Sequence, residues 1–210
     1  MQIVPPSFLL VGTGRADDLV LAEPAGGTIL ARGGDDTLRA GPGDASLAGA
    51  NGDDLLMGGA GADSLRGGAG ADTLSGGAGD DRLFGGAGAD LFLFGPAGGR
   101  DRAAVDGADH VVIDAGAGSI RVAVAPAGIM RFLLLDAAGD LVGTVLLFGS
   151  PAMLELRAEG DVTVDPRARL AAGAIQFAVE REEPRDTNAV DAAPGGGLVL
   201  PGLGDLSPFG

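Results

Sequence analysis

The chain repeats a nine-residue unit five times in succession over 49–93, with the sequences GANGDDLLM, GGAGADSLR, GGAGADTLS, GGAGDDRLF and GGAGADLFL. The same register extends backwards through AGPGDASLA at 40–48 and ARGGDDTLR at 31–39. A more eroded unit, AEPAGGTIL, occupies 22–30, and an imperfect earlier unit lies near 12–20. A fixed period without insertions predicts a solenoid, in which each unit buries its apolar face only against its neighbours.

Two positions of the unit, numbered one to nine, are nearly invariant. Position eight is always a large apolar residue: Ile29, Leu38, Leu47, Leu56, Leu65, Leu74, Leu83 and Phe92. Position six is aspartate except at Gly27 and Ala45. Glycine at positions one, two and four opposes a helix by about 1 kcal/mol each. The unit is therefore predicted to be a glycine-rich turn followed by a very short strand, with position eight pointing inward.

This pattern resembles the RTX, or hemolysin-type, calcium-binding nonapeptide family, whose motif is GGxGxDxUx with U a large apolar residue. The resemblance covers 12–94 and implies a parallel β-roll, in which two units form one coil. It also implies that Ca²⁺ lies between turns of units n and n+2 on the same edge. The ligands it implies are the position-six carboxylates and the carbonyls of the glycine turns: Asp36, Asp54, Asp63, Asp72, Asp81, Asp90, Gly59, Gly61, Gly68, Gly70, Gly77, Gly79, Gly86 and Gly88.

The chemistry of the residues agrees with a calcium site. Calcium takes six to eight hard oxygen ligands, and glycine turns can direct several carbonyls inward without steric cost. Stacked coils place aspartate over aspartate at about 4.8 Å, where unneutralised carboxylates repel. The expected pairs are Asp36 with Asp54, Asp54 with Asp72, Asp63 with Asp81, and Asp72 with Asp90. Ala45 leaves the site it would share with Asp63 incomplete. The alternatives to a calcium-binding roll for the repeat region are a disordered glycine-rich linker and a solenoid that binds no metal.

Composition excludes several other classes of function. The 14 basic residues are all arginine, and against 29 acidic residues they leave a net charge of −15. Such a balance argues against nucleic acid or an anionic membrane as partner and favours cations. Cysteine is absent, which excludes disulfides and thiolate chemistry. The first 14 residues lack a positive n-region and are interrupted by Pro5 and Pro6, so we expect neither a cleavable signal nor a membrane span there.

The chain beyond the repeats is less regular. We expect residues 1–11 to be a lead-in, 95–109 to be a connecting segment, and 186–210 to be a flexible tail. Between them, 110–185 holds short apolar runs that predict strands, forming a small antiparallel sandwich or a sheet packed on the end of the roll. The sequence DAAGD at 136–140 predicts a hairpin loop. With His110 as the only histidine, we expect no catalytic residues and no cofactor other than Ca²⁺.

These features together indicate an all-β protein, a parallel β-roll followed by a smaller β region and a tail. The resemblance implies a secreted, extracellular protein that folds on exposure to calcium. It further implies a type 1 secretion exporter as partner, with an uncleaved export signal near the C-terminus, within 186–210. The alternatives are a calcium-dependent cell-surface or matrix adhesion module, and the C-terminal part of a secreted hydrolase or toxin.

Overall fold

The computed structural model describes residues 8–21, 26–124, 129–164 and 177–180. Within these residues the chain forms strands and no helix. The strands are β1 (Phe8–Val11), β2 (Asp18–Leu21), β3 (Gly27–Leu30), β4 (Thr37–Ala40), β5 (Ala45–Asn51), β6 (Leu55–Ala60), β7 (Ser64–Ala69), β8 (Thr73–Ala78), β9 (Arg82–Ala87), β10 (Leu91–Phe94), β11 (Arg100–Ala104), β12 (His110–Asp114), β13 (Ser119–Val124), β14 (Ile129–Leu135), β15 (Leu141–Phe148), β16 (Met153–Arg157), β17 (Val162–Val164) and β18 (Phe177–Glu180).

Successive repeat units contribute strands to two facing sheets in alternation. Sheet A has the order β1-β3-β5-β7-β9-β11-β15-β14-β13-β17, and sheet B the order β18-β16-β12-β10-β8-β6-β4-β2. Neighbouring strands of the repeats are parallel and offset by two units, so that Leu47 lies beside Leu65 and Leu56 beside Leu74. Two units therefore make one coil, and the predicted parallel β-roll is confirmed.

In the repeats, the core consists of position-eight side chains, arranged as one row from each sheet. All eight of these residues are at most 1% exposed. The turns owe their shape to glycine, since Gly68 and Gly70, at positions two and four, have φ angles of 132° and 138°. L-residues with a side chain rarely adopt such angles, so the backbone favours glycine at positions two and four, although Arg32 and Ala50 occupy position two with φ angles of 85° and 89°.

The roll extends beyond the repeats at both ends, which corrects two expected boundaries. β1 lies within the predicted lead-in and pairs with β3, so the coil already includes Phe8–Val11. The predicted connection at 95–109 contains β11, which pairs in parallel with β9 on one side and β15 on the other. The period there lengthens from 18 to 20 residues, since Ala103 lies beside Leu83. Because of this change of spacing, a fixed nine-residue period does not predict β11.

The C-terminal strands continue the two sheets of the roll and do not form a separate sandwich. In sheet A, β15, β14 and β13 are joined by antiparallel pairing, whereas β17 is parallel to β13. In sheet B, β16 extends the parallel stack from β12, and β18 follows β16. The hairpin predicted at 136–140 is confirmed, because it joins β14 to β15. The predicted tail at 186–210 lies outside the described residues.

Candidate metal centre

The glycine turns line the two long edges of the roll, where the chain crosses between sheets. We call the turns that lead into sheet B the first edge. Their position-six residues, with the equivalents at either end, are Asp17, Asp36, Asp54, Asp72, Asp90 and Asp109. The turns that lead into sheet A form the second edge, with Ala45, Asp63, Asp81 and Asp101. The two edges therefore each carry a stack of acidic side chains, one per coil.

One oxygen of each carboxylate is used in a ladder of hydrogen bonds along each edge. The backbone N–H of Asp54 donates to Oδ1 of Asp72 at 2.9 Å, and the N–H of Asp72 donates to Oδ1 of Asp90 at 3.0 Å. On the second edge, the N–H of Asp63 donates to Oδ1 of Asp81 at 2.8 Å. All four expected pairs are brought together in this way. Each aspartate is thus held in a fixed orientation by the coil before it.

The other carboxylate oxygen, Oδ2, is buried and accepts no hydrogen bond from any described residue. This holds for all six position-six aspartates of the repeats: Asp36, Asp54, Asp63, Asp72, Asp81 and Asp90. These residues are only 1–2% exposed. A buried charged oxygen without a partner costs a large desolvation free energy. An array of such oxygens indicates that a cation completes the structure.

Glycine at position one of the five consecutive units makes room for the aspartate of its own turn, whereas alanine occupies this position in the two preceding units. A Cβ atom on Gly67 would lie 2.1 Å from Oδ2 of Asp72, and one on Gly49 would lie 2.0 Å from Oδ2 of Asp54. Neither glycine has a φ angle in the left-handed region, so space and not backbone conformation requires it. The two glycines of the GG pair therefore serve different purposes, the first for the carboxylate and the second for the turn.

Backbone carbonyls of the turns point along the roll towards the next turn of the same edge. A Cβ on Gly77 would meet the carbonyl oxygen of Gly59 at 2.1 Å, and one on Gly86 would meet that of Gly68 at the same distance. Within the described residues, no three His, Cys, Asp or Glu side chains cluster tightly enough to enclose a metal ion. Carboxylates alone therefore cannot fill the coordination sphere, and the remaining hard oxygens that Ca²⁺ needs must come from carbonyls and water. The donor set fits calcium.

Burial shifts the titration of these aspartates towards neutral pH. Desolvation, together with repulsion from neighbouring aspartates, raises the pKa of Asp54, Asp63 and Asp72 to about 6, although backbone hydrogen bonds partly oppose the shift. The pKa values of Asp36, Asp81 and Asp90 are raised for the same main reason. Without a cation, the charged form of the array is therefore unfavourable in the folded roll.

The interruption at Ala45 affects the second edge less than its sequence suggests. The N–H of Ala45 still donates to Oδ1 of Asp63 at 2.7 Å, so Asp63 keeps its ladder bond. What is absent is a carboxylate at position 45 itself. The turn also differs in shape, because Gly41 and Gly43 lack the left-handed φ angles found at positions two and four of the later units. The site between Ala45 and Asp63 thus has one carboxylate.

Asp101 and Asp109 belong to the ladders although the sequence analysis did not include them. The N–H of Asp81 donates to Oδ1 of Asp101, and the N–H of Asp90 donates to Oδ1 of Asp109, both at 3.1 Å. Asp101 and Asp109 are 4% and 3% exposed, and burial raises the pKa of Asp101 to about 7. Their spacings of 20 and 19 residues lie outside the nine-residue register. The only feature of the local sequence that could have predicted these two residues is an aspartate at the start of a short apolar strand.

Position-five aspartates form a second, outer set of contacts that the motif does not specify. Oδ1 of Asp53 accepts the N–H of Ala71 at 2.7 Å, and Oδ1 of Asp80 accepts the N–H of Arg100 at 2.9 Å. These bonds run towards the following coil, opposite to those of position six. They stabilise the exposed side of the turns, where position five is aspartate in four units and alanine in three.

The only histidine of the chain directly follows Asp109 of the first edge. His110, on the outward side of β12, has Nε2 3.6 Å from Oε2 of Glu155, and Glu155 also pairs with Arg157 at 2.7 Å. This arrangement places His110 on a strand in contact with a surface ion pair. Among the described residues, none forms a helix with the length and hydropathy that a membrane span requires.

The fold and the carboxylate edges define a calcium-binding β-roll. Residues 30–92 match the family model for the RTX calcium-binding nonapeptide repeat (4 copies), as two overlapping matches at 30–65 and 57–92. The chain thus carries RTX repeats, and these repeats bind Ca²⁺. No curated protein matches the chain.

One solved structure that is similar is that of the extracellular lipase LipA from Serratia marcescens. Its identity to this chain is 18%, the TM-score is 0.34, and the match covers 69% of this chain and 38% of the lipase. The chain therefore matches well under half of that lipase's length.

Proposed function

We propose that this protein is a secreted calcium-binding module whose roll folds when it meets extracellular calcium. The observation that carries the proposal is the array of six buried Oδ2 atoms without hydrogen-bond partners. In the absence of a cation, each charged oxygen opposes folding. When Ca²⁺ is bound, the same oxygens become ligands, so the binding free energy is added to the folding free energy.

The residues that would hold the ions are the position-six carboxylates and the turn carbonyls. Calcium supplies neutralising charge between adjacent coils, while the ladder of backbone N–H groups keeps Oδ1 fixed. Extracellular modules bind calcium with dissociation constants of about 0.1–1 mM. Sites of that strength stay empty in a calcium-poor cytosol and fill outside the cell. The roll would then remain open for export and close afterwards.

Circular dichroism of the full chain tests this proposal. In chelator we expect little β structure, and on addition of millimolar Ca²⁺ we expect cooperative formation of the roll. Mg²⁺ is the matched control ion, because it demands compact octahedral geometry and keeps its waters. A roll that is fully folded in chelator, or that folds equally in Mg²⁺, would refute coupling of folding to calcium.

We further propose a type 1 exporter as partner, with the export signal in 186–210. This rests on the position and composition of that segment, which contains no Arg or Lys. Deletion of 186–210 should abolish appearance of the protein in the medium of a host with a matching exporter. The truncated chain should still fold in calcium, which separates an export defect from a folding defect. Undiminished secretion of the truncated chain would refute the assignment.

A further inference from the structure

The outward face of sheet A collects arginine. Six exposed arginines project from its strands between β7 and β13: Arg66, Arg82, Arg100, Arg102, Arg121 and Arg131. Their neighbours in sequence, such as Leu65, Leu83 and Ala103, are buried, which fixes the arginines on the solvent side of the alternating strands. We call this surface the arginine face.

Strand register aligns these side chains across the sheet. Arg82 lies directly beside Arg102, Arg102 beside Leu146, and Leu146 beside Arg131. A parallel row contains Arg100 and, three strands further, Arg121. In sheet A, β7 and β13 are separated by five strand-to-strand spacings. At about 4.8 Å per spacing, the arginine face extends about 24 Å along the roll.

The arginine face has no acidic counterpart on the strands that form it. Between β7 and β13 in sheet A, the only strand residue that is Asp or Glu is Asp101, which points inward and is buried. On sheet B, by contrast, Arg39 pairs with Asp18, and Arg157 pairs with Glu155. Like charges side by side on neighbouring strands destabilise a sheet. A cluster with this cost, in a chain of net charge −15, points to a function.

Apolar side chains are interspersed with the arginines. Phe84 and Phe148 are 40% and 42% exposed and lie in the same row on either side of Ala104. The guanidinium of Arg66 stacks over the ring of Phe84, 5.8 Å from its centroid. Such stacking orients the planar donor fork of arginine, which suits bidentate binding of carboxylate or sulfate groups.

We infer that the arginine face binds a linear acidic polysaccharide. Six cations on six strands, two of them on β11 and none on β15, average one positive charge per strand over about 24 Å, which matches a polymer with about one acidic group per sugar. Duplex DNA carries one charge per about 1.7 Å and would leave most of its phosphates unpaired on this face. The exposed phenylalanines offer flat apolar surface to the faces of sugar rings. The overall charge of −15 does not describe this face, because the strands that form it carry no outward-pointing Asp or Glu.

The inference takes from the proposed function only its extracellular setting, where such polymers occur. Binding is measured on purified, calcium-loaded protein, and export is measured in cells. A failure of one experiment therefore leaves the other unaffected.

Fluorescence polarisation with a labelled oligogalacturonate, which has one carboxylate per sugar, tests the inference. The decisive variant is Arg82→Gln with Arg102→Gln, and the matched control is Arg39→Gln with Arg157→Gln, which removes the same charge from sheet B. We expect the first variant to lose about tenfold or more in affinity, because it loses two charge-assisted contacts. The control should bind as the natural chain does. Arg82→Lys with Arg102→Lys should bind with intermediate affinity.

Thermal unfolding in calcium provides a second readout. Removal of two adjacent like charges should leave the melting temperature unchanged or slightly higher, so loss of binding cannot come from misfolding. Equal binding by both glutamine variants would mean that calcium bridges polymer and edges, which overturns the inference. Tighter binding of labelled single-stranded DNA than of oligogalacturonate, or binding of neutral dextran with similar affinity, would also overturn it.

Discussion

Replacing Asp72 by asparagine should change stability in opposite directions with and without calcium. Asparagine keeps an oxygen for the N–H of Asp54 and removes the charge from the buried Oδ2 position. In chelator, the pKa of Asp72 at about 6, against an ordinary value of 3.8, measures the cost of that charge. About two pKa units correspond to nearly 3 kcal/mol, and solvent screening at the turn reduces this to about 1–2 kcal/mol. Asp72→Asn should therefore stabilise the metal-free roll by about that amount.

In calcium the same substitution should destabilise the roll. Asp72 lies between Asp54 and Asp90 and so contributes to two adjacent sites. A site at tenfold excess of ligand over its dissociation constant contributes about 1.4 kcal/mol. Loss of two sites costs about 3 kcal/mol, which exceeds the gain from removing the charge. The net expectation in calcium is a loss of about 1–2 kcal/mol.

Urea unfolding followed by circular dichroism measures both effects, in chelator and in millimolar calcium. Sucrose, present equally in all samples, brings the metal-free roll into the measurable range. Asp18→Asn is the control, since it removes one charge from a side chain that is 67% exposed. Destabilisation by Asp72→Asn in both conditions would refute the reasoning, because it would mean that the buried charge of Asp72 does not oppose folding of the metal-free roll. An identical response of Asp18→Asn would attribute the effect to net charge alone.

Three further predictions concern pH, glycine and the extended ladder. Because the pKa of Asp54 in the folded roll is raised to about 6, the metal-free roll should gain stability as pH falls from 7 towards 4. The affinity for calcium should fall over the same pH range. Unfolding and calcium binding, measured as a function of pH, check that the two quantities change in opposite directions. Gly49→Ala should lower the melting temperature in calcium, and Gly95→Ala, with open space around it, should not. By calorimetry, Asp101→Asn should reduce the number of bound calcium ions although it lies outside the nine-residue register, and an unchanged stoichiometry would remove Asp101 from the sites.

The sequence was sufficient for the periodic part of the fold because each unit depends only on its neighbours. Leu in phase at position eight determines the inward face, and glycine at positions two and four determines the turn, so the register of β5 to β10 follows directly. Short apolar runs also predicted the strands β12 to β17, since their boundaries coincide with glycine, proline and aspartate. Which sheet those strands join is a long-range property, and nothing local in the sequence encodes it.

The carboxylate site was predictable in its residues and not in its extent. Position six identified the buried aspartates, but the continuation to Asp101 and Asp109 depends on backbone contacts across 20 and 19 residues. Asp109 also shows how the first edge ends, because its Oδ2 accepts the N–H of Asp106 at 2.7 Å. That carboxylate is satisfied by the protein itself. A motif cannot reveal this difference, since it depends on the loop that precedes Asp109.

Calcium and the arginine face are coupled through charge as well as through folding. The strands β7, β9 and β11 of the arginine face belong to coils that carry the carboxylate edges, so a polyanion approaching sheet A also experiences the negative potential of the turns. Four ions, one for each position-six pair, would roughly halve the net charge of −15, because each brings two positive charges. At physiological ionic strength screening extends over about 8 Å, so this neutralisation acts mainly on the association rate of a charged polymer. Calcium should therefore promote binding of an acidic polysaccharide twice, first by forming the sheet that aligns the arginines and then by removing the repulsion beside it.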